Sequence, residues 1–512
     1  MDVAIIYSRA LAGINSPLVT VEVHLSRGLP GMSIVGMPET AVRESKDRVR
    51  SAIMNNLFEY PLRRITINLA PADLPKDSGR FDLAIAVGLL AASGQVARAA
   101  IEDYEFIGEL SLTGQLRPVN GILSIAGAVR DTGRALVLPR QNAAEAAFIR
   151  ELALYPADTL RDVAGHLNDQ QQLIGYEPSA RDKHAAAPVY PELADVRGQQ
   201  QVKRAVEIAA AGSHNLLMVG PPGSGKTMLA ERMPGIMPPM TESQALETAT
   251  VESISKQGFS LSAWKRRPFR SPHHTASAVA MVGGGSQPRP GEISLAHNGI
   301  LFLDELPEYD RRVLEVLREP LEAGVIAISR AARQVTFPAR FQLITAMNPC
   351  PCGYFGDESA RCCCTHEQVR RYRSRLSGPL LDRIDMHTDV PALSKDLYFS
   401  QAAGKNESSA VVRARVIRAY QRQLLRSGKP NSYLLPAEVE RYCRLSPEQR
   451  HLLEDALDQF RLSARALQRI IKVARTIADL AGTTGIQTSH IAEALNYRRL
   501  ERIEKYLTAH PY

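Results

Sequence analysis

The chain has 512 residues, 45% of them apolar and 23% charged, with a formal net charge of +8. That length predicts roughly three domains, each able to bury its own core. No uncharged apolar run reaches about 18 residues, which excludes a membrane-spanning helix, and an N-terminus with Asp2 and no cleavable apolar core argues against a signal peptide, so cytoplasm is the expected location.

In chain order, residues 1–175 mix short β-branched runs, Thr20–Leu25 and Ile65–Leu69, with an amphipathic helix expected over Thr40–Asn55 and a small-residue apolar helix over Asp82–Ser93. This is the pattern of an α+β domain. Residues 176–191 lose periodicity and gain proline and charge, as a linker does. Residues 192–391 alternate helices with the apolar strands Leu216–Val219, Ile300–Leu303 and Phe341–Ala346, which predicts an α/β core with a parallel sheet covered on both faces. Residues 392–512 predict helices almost only, the clearest at Arg413–Leu425 and Arg465–Leu480.

The core opens with Gly220, Pro221, Pro222, Gly223, Ser224, Gly225, Lys226 and Thr227, a full match to GxxxxGK[ST] between an apolar strand and a helix. Glycines let backbone amides close around phosphates, and the helix N-terminus adds positive potential. Lys226 is expected to reach the β- and γ-phosphates of ATP and Thr227 to bind Mg²⁺. Ile300–Leu303 then ends in Asp304 and Glu305, which suits a metal-binding carboxylate beside a general base for the attacking water. Asn348, just past a third strand, fits a γ-phosphate sensor. Arg383 and Arg465 are further candidates for phosphate contact, Arg383 from a neighbouring subunit; a plain salt bridge is the alternative for both.

Five of the six cysteines lie between Cys350 and Cys364. Clustering of this kind in a cytosolic chain reads as metal binding rather than as disulfides. The expectation is one structural, tetrahedral Zn²⁺ on Cys350, Cys352, Cys362 and Cys364 with Cys363 spare, and reduced, partly buried thiols are the alternative. Basic clusters at Trp264–Arg270, Arg370–Arg375 and Arg413–Arg426 are singly ordinary solvated faces; three of them around one core favour a polyanionic partner.

This order of motifs resembles the AAA+ ATPases, in particular the magnesium-chelatase-like branch with its helix-2 insert. Phe269-Arg-Ser-Pro-His-His-Thr-Ala-Ser277, Gly283-Gly-Gly285, Pro290-Gly-Glu-Ile-Ser294, Asn348-Pro-Cys-Pro-Cys-Gly353 and Ser377-Gly-Pro-Leu-Leu-Asp-Arg-Ile-Asp385 carry the likeness, and the YifB/ComM family matches from end to end. The resemblance implies an AAA+ P-loop core with a helical lid and a homo-hexameric ring. It assigns Asn348 as sensor 1, Arg383 as the trans-acting finger and Arg465 as sensor 2. It further implies an ATP-driven motor that branch-migrates recombination intermediates in natural transformation. The alternative is a chelatase-like ATPase that remodels a protein partner.

With that resemblance, two loops become candidates for sequence-independent DNA contact: the glycine-rich Gly283–Gly291 with Arg289, and a hairpin of Val325–Ser329 and Gln334–Phe337 with Arg330 and Arg333 at its tip. His273 and His274 are read as part of the insert's structure, since adjacent side chains usually point apart. The first 175 residues resemble the Lon-protease-like (ribosomal protein S5 domain 2-like) α+β domain. Here Arg80 stands at the nucleophile position of Pro75-Lys-Asp-Ser-Gly-Arg-Phe-Asp82, Ser78 is out of register, and Leu123 replaces the catalytic lysine. No proteolysis is expected, because a serine needs a positioned base to attack a peptide.

Overall fold

The computed structural model describes residues 3–74, 76–177, 188–285, 288–330, 333–356, 361–392, 406–460 and 463–498. Part of the expected linker, residues 178–187, lies outside them. None of the described helices is long and apolar enough to cross a membrane.

The first α+β module contains β1 (Val3–Arg9), β2 (Leu18–Ser26), β3 (Gly31–Val35), β4 (Arg64–Ala70), β5 (Tyr104–Phe106), the short hairpin β6 (Glu109–Leu110) and β7 (Leu116–Arg117), β8 (Ala135–Pro139) and β9 (Leu154–Ala157). Seven of these form a mixed sheet in the order β3-β4-β2-β1-β5-β8-β9, antiparallel only between β1, β2 and β4. Period-2 alternation on β2 turns Val19, Val21, Val23 and Leu25 inward. Against them packs the helix Asp82–Ala92, buried on nearly every side, whose small residues allow close approach. A Cβ on Gly88 would lie 2.6 Å from Val23 Cγ2.

The helix expected over Thr40–Asn55 is two helices, Thr40–Arg43 and Ser45–Asn55, broken at Glu44. At the break Ser45 Oγ and Arg48 Nε (2.7 Å) bond to the buried Asp82 carboxylate. A local period cannot anticipate that tertiary tie.

The second module has a five-stranded sheet that is parallel throughout. Its members are β10 (Leu216–Val219), β11 (Phe269–Arg270), β14 (Ile300–Leu303), β17 (Gln342–Met347) and β18 (Met386–Asp389), in the order β11-β14-β17-β10-β18. Two hairpins project from it, β12 (Gly283–Gly284) with β13 (Arg289–Pro290), and β15 (Val325–Arg330) with β16 (Arg333–Pro338). Every residue of β10, β14 and β17 is buried, as strands covered on both faces require.

Helices follow: Ser409–Ser427, Pro436–Tyr442, Pro447–Phe460, Ala464–Ala481 and Thr488–Asn496. Ala464–Ala481 buries Ala466, Ile470, Val473, Ala474 and Ile477 along one stripe. From that stripe Ile470, Val473, Ala474 and Ile477 join Leu216, Ile344 and Val416 in one apolar cluster, so the helical segment and the sheet share a core. The first module docks onto the second at two places. Gly13, with φ +65, abuts the β15–β16 hairpin so closely that a Cβ would lie 2.4 Å from Val335 Cγ1. The Phe148 ring meets Trp264 at 4.2 Å and Phe259 at 5.7 Å.

Candidate nucleotide site

β10 delivers the chain into the glycine-rich turn. Gly220 passes so close to Val390 that a Cβ would lie 2.2 Å from its carbonyl oxygen, and Gly223 and Gly225 adopt φ +74 and +86, the left-handed region that glycine tolerates. Lys226 and Thr227 open the helix Lys226–Ile236. Lys226 Nζ donates to the carbonyls of Gly220 (2.7 Å) and Pro221 (2.9 Å) and to Asn348 Oδ1 (3.3 Å). Burial holds its pKa below the usual ammonium range, against the opposing pull of Asp304 and Glu305.

Thr227 Oγ1 donates to Asp304 Oδ2 at 2.8 Å, although the two residues lie far apart in sequence. Asp304 Oδ1 accepts the Glu305 backbone N–H at 2.9 Å, which fixes the carboxylate at the end of β14. The site therefore offers backbone amides for phosphates and two convergent hard oxygens. That donor set fits Mg²⁺, which takes one or two protein oxygens and shares the phosphates of its nucleotide.

Glu305 has φ +52 and is 52% exposed in its side chain, and its Oε2 lies 3.3 Å from His274 Nδ1. The side chains of the histidine pair, expected to point apart, lie close together instead. The His273 and His274 rings are 4.1 Å apart at 34°, and His274 faces the candidate general base. The reason is topological: β11 pairs in parallel with β14, so the residues that follow each strand emerge side by side. We predict that His274→Ala, by freeing Glu305, lowers ATP turnover roughly fivefold with nucleotide affinity kept, the equivalent of about 1 kcal/mol, the upper end for a partly exposed ion pair. Single-turnover hydrolysis alongside equilibrium ATP binding checks this.

Arg383 is only 7% exposed. Its Nη2 lies 2.5 Å from Glu322 Oε1, its Nη1 donates to Pro379 O at 2.6 Å, and its Nε is buried without a partner. Arg465 is exposed in the first turn of Ala464–Ala481. Among the described residues neither arginine hydrogen-bonds to residues 220–227 of its own chain.

The sulfurs of Cys350, Cys352, Cys362 and Cys364 converge, all within 4.8 Å of one another, and Cys363 points outward, exposed. Arg330 and Arg333 pair across the end of the β15–β16 hairpin; residues 331 and 332 between them lie outside the described residues. Arg289 lines a cavity of about 450 Å³ between the first module and the hairpins, facing Ser78 and Arg80. There Arg80, buried, donates from Nε to Ser78 Oγ at 2.8 Å, and Lys76 Nζ is turned to the Pro71 carbonyl. A guanidinium cannot take the serine proton as a base would.

Residues 192–397 match the family described as magnesium chelatase, subunit ChlI; residues 21–142 match subunit ChlI of Mg-chelatase, and residues 406–498 its C-terminal part. The chain is 50% identical to competence protein ComM of Haemophilus influenzae, over 99% of this chain and 100% of that one. It is 51% identical to the uncharacterized protein YifB of Salmonella typhimurium, over 98% of each. A more distant likeness, 27% identity over 40% of this chain and 25% of the other, connects it to maternal DNA replication licensing factor mcm6 of Xenopus tropicalis. With magnesium-chelatase family matches along most of its length and full-length relatives at about half identity, the chain belongs to the ComM/YifB family of magnesium-chelatase-like AAA+ ATPases.

Proposed function

We propose that this protein is an ATP-driven DNA motor, a helicase or branch-migration enzyme, that works as a homo-hexameric ring on single-stranded or branched recombination intermediates in natural transformation. One observation carries the reading. Leu303 and Leu306, which flank Asp304 and Glu305, share a buried apolar cluster with Ile326, Ile328 and Phe337 of the β15–β16 hairpin and with Met281 beside β12. A close-packed cluster transmits displacement, so a change at the hydrolytic carboxylates reaches both candidate DNA hairpins. The names of two relatives, a competence protein and a DNA replication licensing factor, point the same way.

In this reading Lys226 holds the β- and γ-phosphates, Thr227 and Asp304 hold the metal, and Mg²⁺ when bound neutralises charge developing on the phosphates. Glu305 takes a proton from the attacking water, oriented by His274, and Asn348 senses the γ-phosphate beside Lys226. Arg383 leaves Glu322 for the γ-phosphate of the neighbouring subunit, Arg465 reaches the nucleotide from the lid, and Arg289, Arg330 and Arg333 grip backbone phosphates. Cys350, Cys352, Cys362 and Cys364 hold a structural Zn²⁺.

Arg330→Ala/Arg333→Ala is expected to keep basal ATP turnover and lose most of its stimulation by DNA. Its affinity for single-stranded DNA should fall with a shallower salt dependence, each lost phosphate contact removing about 0.7 from the slope of log affinity against log salt. Unchanged stimulation rules this hairpin out as the DNA grip. The other reading, remodelling of a protein partner, is favoured by the chelatase family match alone and predicts turnover indifferent to DNA.

A further inference from the structure

We infer that the four-cysteine centre braces the phosphate loop, so that ATP binding depends on the metal it holds. The inference rests on the zinc reading given above and assigns that site a regulatory consequence.

The geometry around the thiols suits a closed metal site. The Sγ–Sγ separations are 3.3 Å for Cys350–Cys352, 3.6 Å for Cys352–Cys362 and 3.8 Å for Cys350–Cys362. A tetrahedron with Zn–S of about 2.3 Å requires sulfurs about 3.8 Å apart, so little rearrangement closes the site. The Gly353 N–H donates to Cys350 O at 3.0 Å and Gly353 takes φ +87, making Cys350–Gly353 a tight turn. Metal binding expels the thiol protons to solvent with no change of oxidation state.

What the turn rests on gives the site its consequence. A Cβ on Gly353 would lie 2.5 Å from Pro222 Cδ and 3.9 Å from Asn348 Cγ, so the turn is seated on the phosphate loop and beside the residue that accepts from Lys226. On the other side, Pro349 O accepts from Arg373 Nε (3.1 Å) and Nη2 (3.0 Å), and the Arg373 guanidinium lies over Phe355. Arg373 ends the helix His366–Arg373 that begins just after Cys364. Between Met347 and His366 the described residues contain no helix or strand. With so little regular structure, the thiol centre adds to the Arg373 bonds a second tie between the turn under Pro222 and the helix leading towards Arg383. Removing the metal frees the turn, and the phosphate loop loses its backing.

The test uses the full-length protein, purified reduced and without chelator. Zinc is measured by elemental mass spectrometry, and affinity for a fluorescent ATP analogue in excess Mg²⁺ is measured before and after a zinc-selective chelator. One zinc per chain is expected, with ATP affinity falling at least tenfold on stripping and returning when Zn²⁺ alone is added back. Gly353→Ala supplies the second arm, because its methyl group presses on Pro222 from a site that still has all four thiols. It should retain one zinc and bind ATP several-fold more weakly. Absence of zinc from the untreated protein, or a Cys350–Cys352 disulfide in its place, overturns the zinc reading itself. Zinc present in Gly353→Ala with unchanged ATP affinity, or stripped and still folded protein with unchanged affinity, overturns the brace while leaving the metal site standing.

Discussion

Glu305→Gln is expected to cut ATP turnover by about 10²–10⁴-fold while nucleotide binding survives, the range that removal of a positioned general base produces. The substitution keeps shape and removes only the ability to take a proton. Lys226 and Thr227 remain in place, and Asp304 stays anchored, because its Oδ1 bonds to the backbone N–H of residue 305 rather than to that side chain. Glu305 is half-exposed just past the end of β14, with its carboxylate beside His274. Phosphate release and equilibrium ATP binding, measured on the same preparation, separate the two effects. Lost binding with normal folding would place Glu305 in the phosphate cradle instead.

The second large effect is on stability. Asp385→Ala is expected to destabilise the folded chain by about 3 kcal/mol, near the lower end for breaking a buried ion pair because its partner keeps some contact with water. Asp385 is 4% exposed, accepts the Asn215 N–H at 2.9 Å, lies 3.5 Å from His214 Nδ1, and pairs with Arg469. Burial alone would raise its pKa; the charge of Arg469, His214 and the Asn215 N–H outweigh it and hold the carboxyl well below the usual range. A depressed folded-state pKa contributes stability that is complete above the unfolded value of about 4 and is lost as pH falls towards the folded value. The gap in melting temperature between wild type and Asp385→Ala should therefore be full at pH 7 and shrink below about pH 4. Arg469 belongs to the lid helix and donates to the Arg383 carbonyl at 3.2 Å, so the variant also loosens the lid from the segment bearing Arg383, and ATP turnover should fall with stability. A gap that does not change across this pH range would mean that the carboxylate charge is not what is lost.

The phosphate loop, β10 and β14 were legible in the sequence because each is a contiguous signal: four apolar residues followed by glycines, or four followed by two acids. The convergence of Cys350, Cys352, Cys362 and Cys364 was legible for a similar reason, two close-spaced arms in one short stretch. Contacts made by topology were not. β11 is two residues long, and nothing local in Phe269 and Arg270 announces that it lies beside β14 and so brings His274 to Glu305. The seat of Gly353 on Pro222, the hold of Glu322 on Arg383, and the shared cavity of Arg80 and Arg289 are likewise pairings across distant segments. The break at Glu44 was hidden because the apolar period continues through it, while the anchor that accompanies it, Asp82, lies on another helix.

The most direct test of the central claim is ATP hydrolysis by the purified wild-type protein, alone and with single-stranded, duplex and four-way-junction DNA, with Glu305→Gln as the inactive control. A nucleic-acid motor predicts several-fold stimulation by single-stranded or branched DNA that vanishes in the control. Robust turnover, lost in Glu305→Gln but indifferent to every DNA, would contradict the motor and leave an ATPase that works on a protein.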